Sequence, residues 1–247
     1  MKRIGVAAAA SLSAAALLLA GCSGPGAPVS TASTSTVTTF GCLTEEQGRK
    51  GAVTVQDRGN TNKAYFQDSD SGGAEVALIF WHQDGGSLCD WVPYLGSFTK
   101  AGYAVLAFTS SGDFFNDLGP ADHFLASKGF SKMVMVGASG TATALLDKMA
   151  SPVDGPEKAV VALSAPQRSG NWDAAKMVAL GKLPTFFAAE KDDLPSSGDA
   201  KALYDASSSP GKQLKIYPGA RHGADLLKDG ALPNVLAFLA TYAPPKS

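Results

Sequence analysis

The strongest constraint in this sequence is a repeated alternation of short apolar runs with stretches of helical periodicity. Runs at residues 76–81, 104–108, 133–136, 160–163, 185–189 and 214–217 are built largely from Val, Ile, Leu, Phe, Met and Ala. Several are unbroken, the pattern of strands covered on both faces so that neither side of the sheet meets water. Amphipathic segments follow at residues 91–100, 121–127, 141–149, 173–180, 200–206 and 232–241. Strand and helix in this succession predict one mostly parallel α/β sheet with helices on both faces. Weaker segments at 52–56 and 63–67 add an antiparallel hairpin at one edge. No internal repeat or coiled-coil heptad interrupts the order, so residues 42–247 are read as a single domain.

Composition excludes several alternatives to that body. The 247 residues are 45% hydrophobic, with 21 Lys and Arg against 22 Asp and Glu, a net charge of -1. This is not the composition of a disordered chain, and it leaves no basic footprint for nucleic acid.

The first 41 residues stand apart. Lys2 and Arg3 precede an alanine-rich apolar stretch over residues 4–20, as in a secretory signal. A membrane-spanning helix needs about 20 strongly apolar residues, which this stretch does not supply. It ends in Leu19-Ala20-Gly21-Cys22, which resembles the lipobox of bacterial lipoproteins. The resemblance implies cleavage after Gly21, a lipid on Cys22, and a protein held at the extracytoplasmic face of the cell membrane. Residues 22–41, rich in Ser, Thr, Gly and Pro, read as a flexible tether. Cys42 and Cys89 then face an oxidising compartment, where they either form a disulfide or remain two buried thiols.

In open α/β sheets, ligands bind beyond the carboxyl ends of the strands. The third run continues into Gly137-Ala138-Ser139-Gly140-Thr141 and then a helix. Other Gly-x-Ser triplets occur at 21–23, 85–87 and 129–131, but Ser139 alone sits on a strand-to-helix turn. Such a turn projects a hydroxyl over the sheet, at the positive end of a helix. A serine hydroxyl needs a base, and the base needs a carboxylate, in the chain order Ser, acid, His. Of three histidines, His82 and His123 precede Ser139, leaving His222 in Gly219-Ala220-Arg221-His222-Gly223. The acid is expected after the run 185–189, where Glu190, Asp192 and Asp193 compete. An oxyanion hole requires the N–H of Gly140 and a second N–H, from Gln83 or Asp84, in the loop after residues 76–81. His82 is read as orienting that loop.

These features together resemble the α/β-hydrolase superfamily, over residues 74–242. The resemblance rests on the His82 loop, Gly102-Tyr103-Ala104-Val105-Leu106-Ala107, the Ser139 turn, Ala189-Glu190-Lys191-Asp192 and the His222 loop. It implies Asp192 as the triad acid, with Asp193 in reserve. Two positions depart from the family pattern: Thr141 and Gln83 stand where glycine is usual. Either residue is expected to crowd the site, or to mark a scaffold retained for binding alone.

About twenty residues, 164–184, separate the fourth and fifth runs, too few for an inserted cap domain. The site is therefore expected to be open, with Phe114, Phe115 and Trp172 as candidate walls of an apolar acyl pocket or as ordinary packing residues. A serine nucleophile argues against the cysteine chemistry of dienelactone hydrolases. No phosphate loop or His/Cys cluster implies a cofactor or metal. The expectation is a monomeric, lipid-anchored serine hydrolase acting on a small acyl substrate. An ester is the leading class, with peptidase, acyltransferase or a non-catalytic binding lipoprotein as alternatives.

Overall fold

The computed structural model of the protein describes residues 36–57, 60–110, 114–148 and 155–246. The export signal, Cys22 and most of the tether lie outside the described residues. Val37–Ser247 forms one unit, whose frame is an eight-stranded sheet. Its strands in chain order are β1 (Ala52–Asp57), β2 (Asn60–Gln67), β3 (Val76–Trp81), β4 (Ala104–Phe108), β5 (Lys132–Ala138), β6 (Glu157–Leu163), β9 (Thr185–Glu190) and β10 (Gln213–Tyr217). A separate two-stranded hairpin, β7 (Arg168–Ser169) and β8 (Trp172–Asp173), follows β6.

The spatial order is β1-β2-β4-β3-β5-β6-β9-β10. Strand β2 runs antiparallel to β1 and β4, and every pairing from β4 to β10 is parallel. The expected edge hairpin is therefore β1–β2. Because the strands from β3 to β10 point the same way, their carboxyl ends share one edge. The register aligns those ends: Trp81 with Gly137, Ala138 with Leu163, Leu163 with Ala188, and Glu190 with Tyr217.

The unbroken apolar runs follow from the two cores that the sheet separates. Along β3, Val76, Leu78 and Phe80 enter one core, and Ala77, Ile79 and Trp81 the other. The first core is covered by α2 (Val92–Lys100) and α7 (Ala231–Tyr242), through Leu95, Phe98, Val235, Phe238 and Leu239. The second is covered by α3 (Phe114–Ser127), α4 (Gly140–Lys148) and α6 (Ser196–Ala206), through Leu118, Leu125, Leu145, Leu146 and Leu203. Each such side chain removed from water stabilises the fold by about 1.5–3 kcal/mol. Phe40, assigned to the tether by composition, packs against the first core.

A short helix unanticipated in the sequence, α1 (Glu45–Gly51), precedes β1. It begins with a capping box in which Gln47 N–H donates to Thr44 Oγ1 at 3.1 Å and Thr44 N–H to Gln47 Oε1 at 2.8 Å. Between β6 and β9 the chain uses only the β7–β8 hairpin and a single turn, α5 (Ala174–Met177). Among the described residues no cap domain is evident.

Candidate active site

Ser139 stands between β5 and α4 with φ 56°. The left-handed region costs an L-residue about 1–2 kcal/mol, so the turn must be held by its surroundings. Ser139 N–H donates to Leu163 O at 2.8 Å, and Ser139 O accepts from Thr143 N–H at 3.2 Å. These bonds tie the turn to β6 and to the first turn of α4. Strand and helix approach closely beside it: a Cβ on Gly137 would lie 2.6 Å from Leu145 Cδ1 and 2.9 Å from Ala142 Cα. Gly140, buried, opens α4, where the first backbone N–H groups have no intrahelical partner and form the positive pole of the helix.

His222 lies between β10 and a 3-10 stretch, Gly223–Asp229. Its Nδ1 is 3.0 Å from both carboxylate oxygens of Asp193, whose side chain is buried. Asp192, expected as the acid, is exposed, and its backbone N–H donates to Gly219 O at 2.8 Å. The fold thus places Asp193, the reserve candidate, and not Asp192 beside His222. The chain turns as it leaves β9, with Asp193 N–H donating to Glu190 O at 3.1 Å, and the turn carries the second aspartate inward. Glu190 has a third role. It is buried, and its Oε2 accepts from Arg221 N–H at 2.5 Å. A Cβ on Gly219, at φ 118°, would overlap that carboxylate. The loop thus reaches His222 by wrapping over Glu190.

One residue of the constellation was missed in the sequence. Ser164, fully buried at the end of β6 with φ 52°, donates from Oγ to Asp193 Oδ2 at 2.7 Å and accepts from Gly223 N–H at 3.0 Å. It joins Asp193 to the residue after His222. The available signal was positional, since Ser164 follows its apolar run as Ser139 follows the neighbouring one.

The loop after β3 is held from several sides. Ser110 N–H donates to His82 Nε2 at 3.0 Å, so that nitrogen carries no proton and Nδ1–H donates to Gln83 O at 2.7 Å. Gly86 N–H donates to the same carbonyl at 2.9 Å. The Gln83 side chain turns toward the histidine loop, where its Oε1 accepts from Ala224 N–H at 3.2 Å. Thr141 Oγ1 lies 2.9 Å from His82 O and 2.8 Å from Ala138 O. The two departures from the glycine pattern are therefore hydrogen-bonded into the framework. Asp84 is exposed, with Oδ2 2.7 Å from where a Cβ on Gly140 would stand. The fold thus brings the Asp84 carboxylate beside Gly140.

The pocket candidates fare differently. Trp172, in β8, is half-buried and packs against the second core. Phe114 and Phe115 open α3, and their side chains lie outside what is described. Cys42 and Cys89 are joined by a disulfide with a Cα–Cα distance of 5.7 Å. Among the described residues, no group of His, Cys, Asp and Glu is arranged to hold a metal, and no helix is long and apolar enough to cross a membrane.

No protein-family model matches the chain, and no curated protein matches its sequence. Solved structures do match its fold. The esterase domain of a Rhodothermus marinus protein aligns with a TM-score of 0.65 at 20% identity, covering 77% of this chain and 98% of that one. The Pyrococcus furiosus esterase Pf2001 gives 0.64 at 16%, covering 77% and 91%. Dienelactone hydrolase from Anabaena variabilis gives 0.59 at 20%, covering 77% and 96%.

Proposed function

We propose that this protein of the α/β-hydrolase fold is a serine hydrolase cleaving carboxylic esters, exported and anchored through a lipid on Cys22. The observation that carries the catalytic part is His222 Nδ1 at 3.0 Å from the buried carboxylate of Asp193, on a framework that holds Ser139 in a positive-φ turn. Asp193 takes the Nδ1 proton of His222 as a hydrogen bond, leaving Nε2 as the base. Nε2 removes the proton of Ser139 Oγ as the oxygen attacks the acyl carbon. The tetrahedral oxyanion is stabilised by Gly140 N–H and by an N–H of the Gln83–Asp84 segment. The imidazolium then returns its proton to the departing alkoxide; a water deprotonated by the same nitrogen attacks the acyl carbon, the bond to Ser139 Oγ breaks, and the imidazolium proton passes to Oγ as the carboxylic acid leaves. An ester suits this site because an alkoxide leaves more readily than an amine, and because no inserted domain narrows the approach. The Cys42–Cys89 disulfide supports an oxidising, extracytoplasmic location.

A fluorophosphonate probe tests the nucleophile. The folded wild type is expected to label and Ser139→Ala is not, while a folded wild type that fails to label removes the catalytic reading. Product analysis with ester, peptide and acyl-acceptor mixtures separates ester hydrolysis from peptidase and acyltransferase activity on the same residues. Mass spectrometry of the mature N-terminus tests the anchor, for which a lipidated Cys22 is expected and an unmodified terminus elsewhere is disqualifying.

A further inference from the structure

We infer that Thr141 is a positioning residue that sets the oxyanion hole, a reading that rests on the serine-hydrolase mechanism above. The two donors of that hole belong to different elements. Gly140 N–H belongs to the first turn of α4, and the second donor to the loop after β3, so some contact must fix the distance between them. Thr141 supplies it. It is covalently next to Gly140, and its hydroxyl lies 2.9 Å from His82 O, the carbonyl of the peptide whose N–H belongs to Gln83. The same hydroxyl lies 2.8 Å from Ala138 O and 3.4 Å from Trp81 O. Its single proton is thus shared between the end of β5 and the start of the loop.

A trans peptide is rigid, with its C=O and N–H pointing in opposite directions. Holding the His82 carbonyl therefore fixes the plane of the 82–83 peptide, and with it the direction of Gln83 N–H. The next peptide is fixed in the same way. Gln83 O accepts from His82 Nδ1–H at 2.7 Å and from Gly86 N–H at 2.9 Å, which orients Asp84 N–H. Whichever of the two N–H groups meets the oxyanion, its plane is set before substrate arrives. The Gln83 side chain extends the brace to the base loop, through Ala224 N–H at 3.2 Å. A glycine at position 141 has no group to make the first of these bonds, so in this chain the hydroxyl replaces a close approach with a hydrogen bond.

An oxyanion hole acts on charge that develops in the transition state, so loosening it lowers kcat and leaves KM nearly unchanged. Thr141→Val keeps the branched shape and removes the hydroxyl, whereas Thr141→Ser keeps the hydroxyl. The valine variant is expected to lose about 10- to 100-fold in kcat, a smaller loss than deletion of a donor itself. The serine variant is expected to stay within about threefold of wild type and to melt near it, and the valine variant to melt lower but remain folded at the assay temperature. Affinity for a trifluoromethyl ketone, whose serine adduct places an oxygen anion in the hole, should fall in the same proportion as kcat/KM. A valine variant as fast as wild type overturns the inference, as does a serine variant as slow as the valine. Crystal structures of the two variants decide the brace even if the wild type hydrolyses no ester, an outcome that counts against the proposed function. The 82–83 peptide turned in Thr141→Val and retained in Thr141→Ser supports the brace, and an unmoved peptide in Thr141→Val overturns it.

Discussion

At the residue scale, the histidine's partner separates two adjacent aspartates whose chemistry is identical. Asp193→Asn is expected to lower kcat/KM roughly a thousandfold or more, because an amide neither selects the Nδ1–H tautomer nor offsets the imidazolium charge. Asp192→Asn, at an exposed position, should stay within about twofold, since surface substitutions change little. Ester hydrolysis by the two purified variants checks both, and equal losses would dismiss Asp193 as the acid. Ser164→Ala is a separate case. It strips one donor from Asp193 and leaves the buried Gly223 N–H without its acceptor, an arrangement that costs about 1–3 kcal/mol. The expected signature is lower stability in urea together with a fall in kcat, and an unchanged midpoint would exclude the proposed coupling. Ser139 and His222 could be singled out as candidates because Ser139 alone among the Gly-x-Ser serines sits on a strand-to-helix turn and only one histidine follows it. Which of the two aspartates meets His222 was not legible, because sequence order places a residue after a strand without reporting how the turn rotates. Ser164 was missed because its role is defined by two long-range hydrogen bonds that leave no local pattern.

At the element scale, the strands were the most legible parts because burial on both faces forces continuous apolar runs. Helix starts were less so. A helix beginning at residue 121 was expected, since proline reads as a boundary, yet α3 spans Phe114–Ser127 with Pro120 inside it. That helix carries Asp122, whose carboxyl is pushed up to about 6 from an ordinary 3.8, chiefly by burial and further by Glu157, against the opposing pull of Lys148. The folded state therefore binds the proton more tightly than the unfolded chain. The stability tied to this group is complete below the unfolded value of 3.8 and is lost as pH rises through about 6. Asp122→Asn does not titrate, so it should match wild type near pH 4 (about the unfolded value) and exceed it above pH 7 by roughly 1–2 kcal/mol, allowing for solvent screening of a partly exposed group. Urea unfolding at both pH values measures this. A difference between the two proteins that does not change with pH would show that Asp122 keeps its ordinary acidity in the fold.

At the scale of the whole molecule, the alternation of runs fixes the architecture, but it says little about how the N-terminal segment joins the body. That junction is a covalent and packing problem. Cys42 precedes α1, and Cys89 lies in the short turn Leu88–Asp90, just beyond the candidate oxyanion loop and next to Trp91, which is buried against Phe80 with ring centroids 5.2 Å apart. The bond spans a sequence separation of 47, so reduction frees a long loop in the unfolded chain and stabilises the folded state less than before. Replacing both cysteines with serine should cost about 4 kcal/mol in the chain-entropy account, and lower Tm by roughly 10 °C for a domain of this size. Activity at 25 °C should nevertheless remain within about twofold, because the oxyanion loop is separately held by Thr141, His82, Ser110 and Ala224. Calorimetry and initial rates on one preparation separate the two effects. A Tm shift without a rate change assigns the disulfide to the fold, whereas a rate loss at a temperature where the variant is fully folded would mean that the covalent link, and not the hydrogen-bonded brace, sets the position of the oxyanion loop.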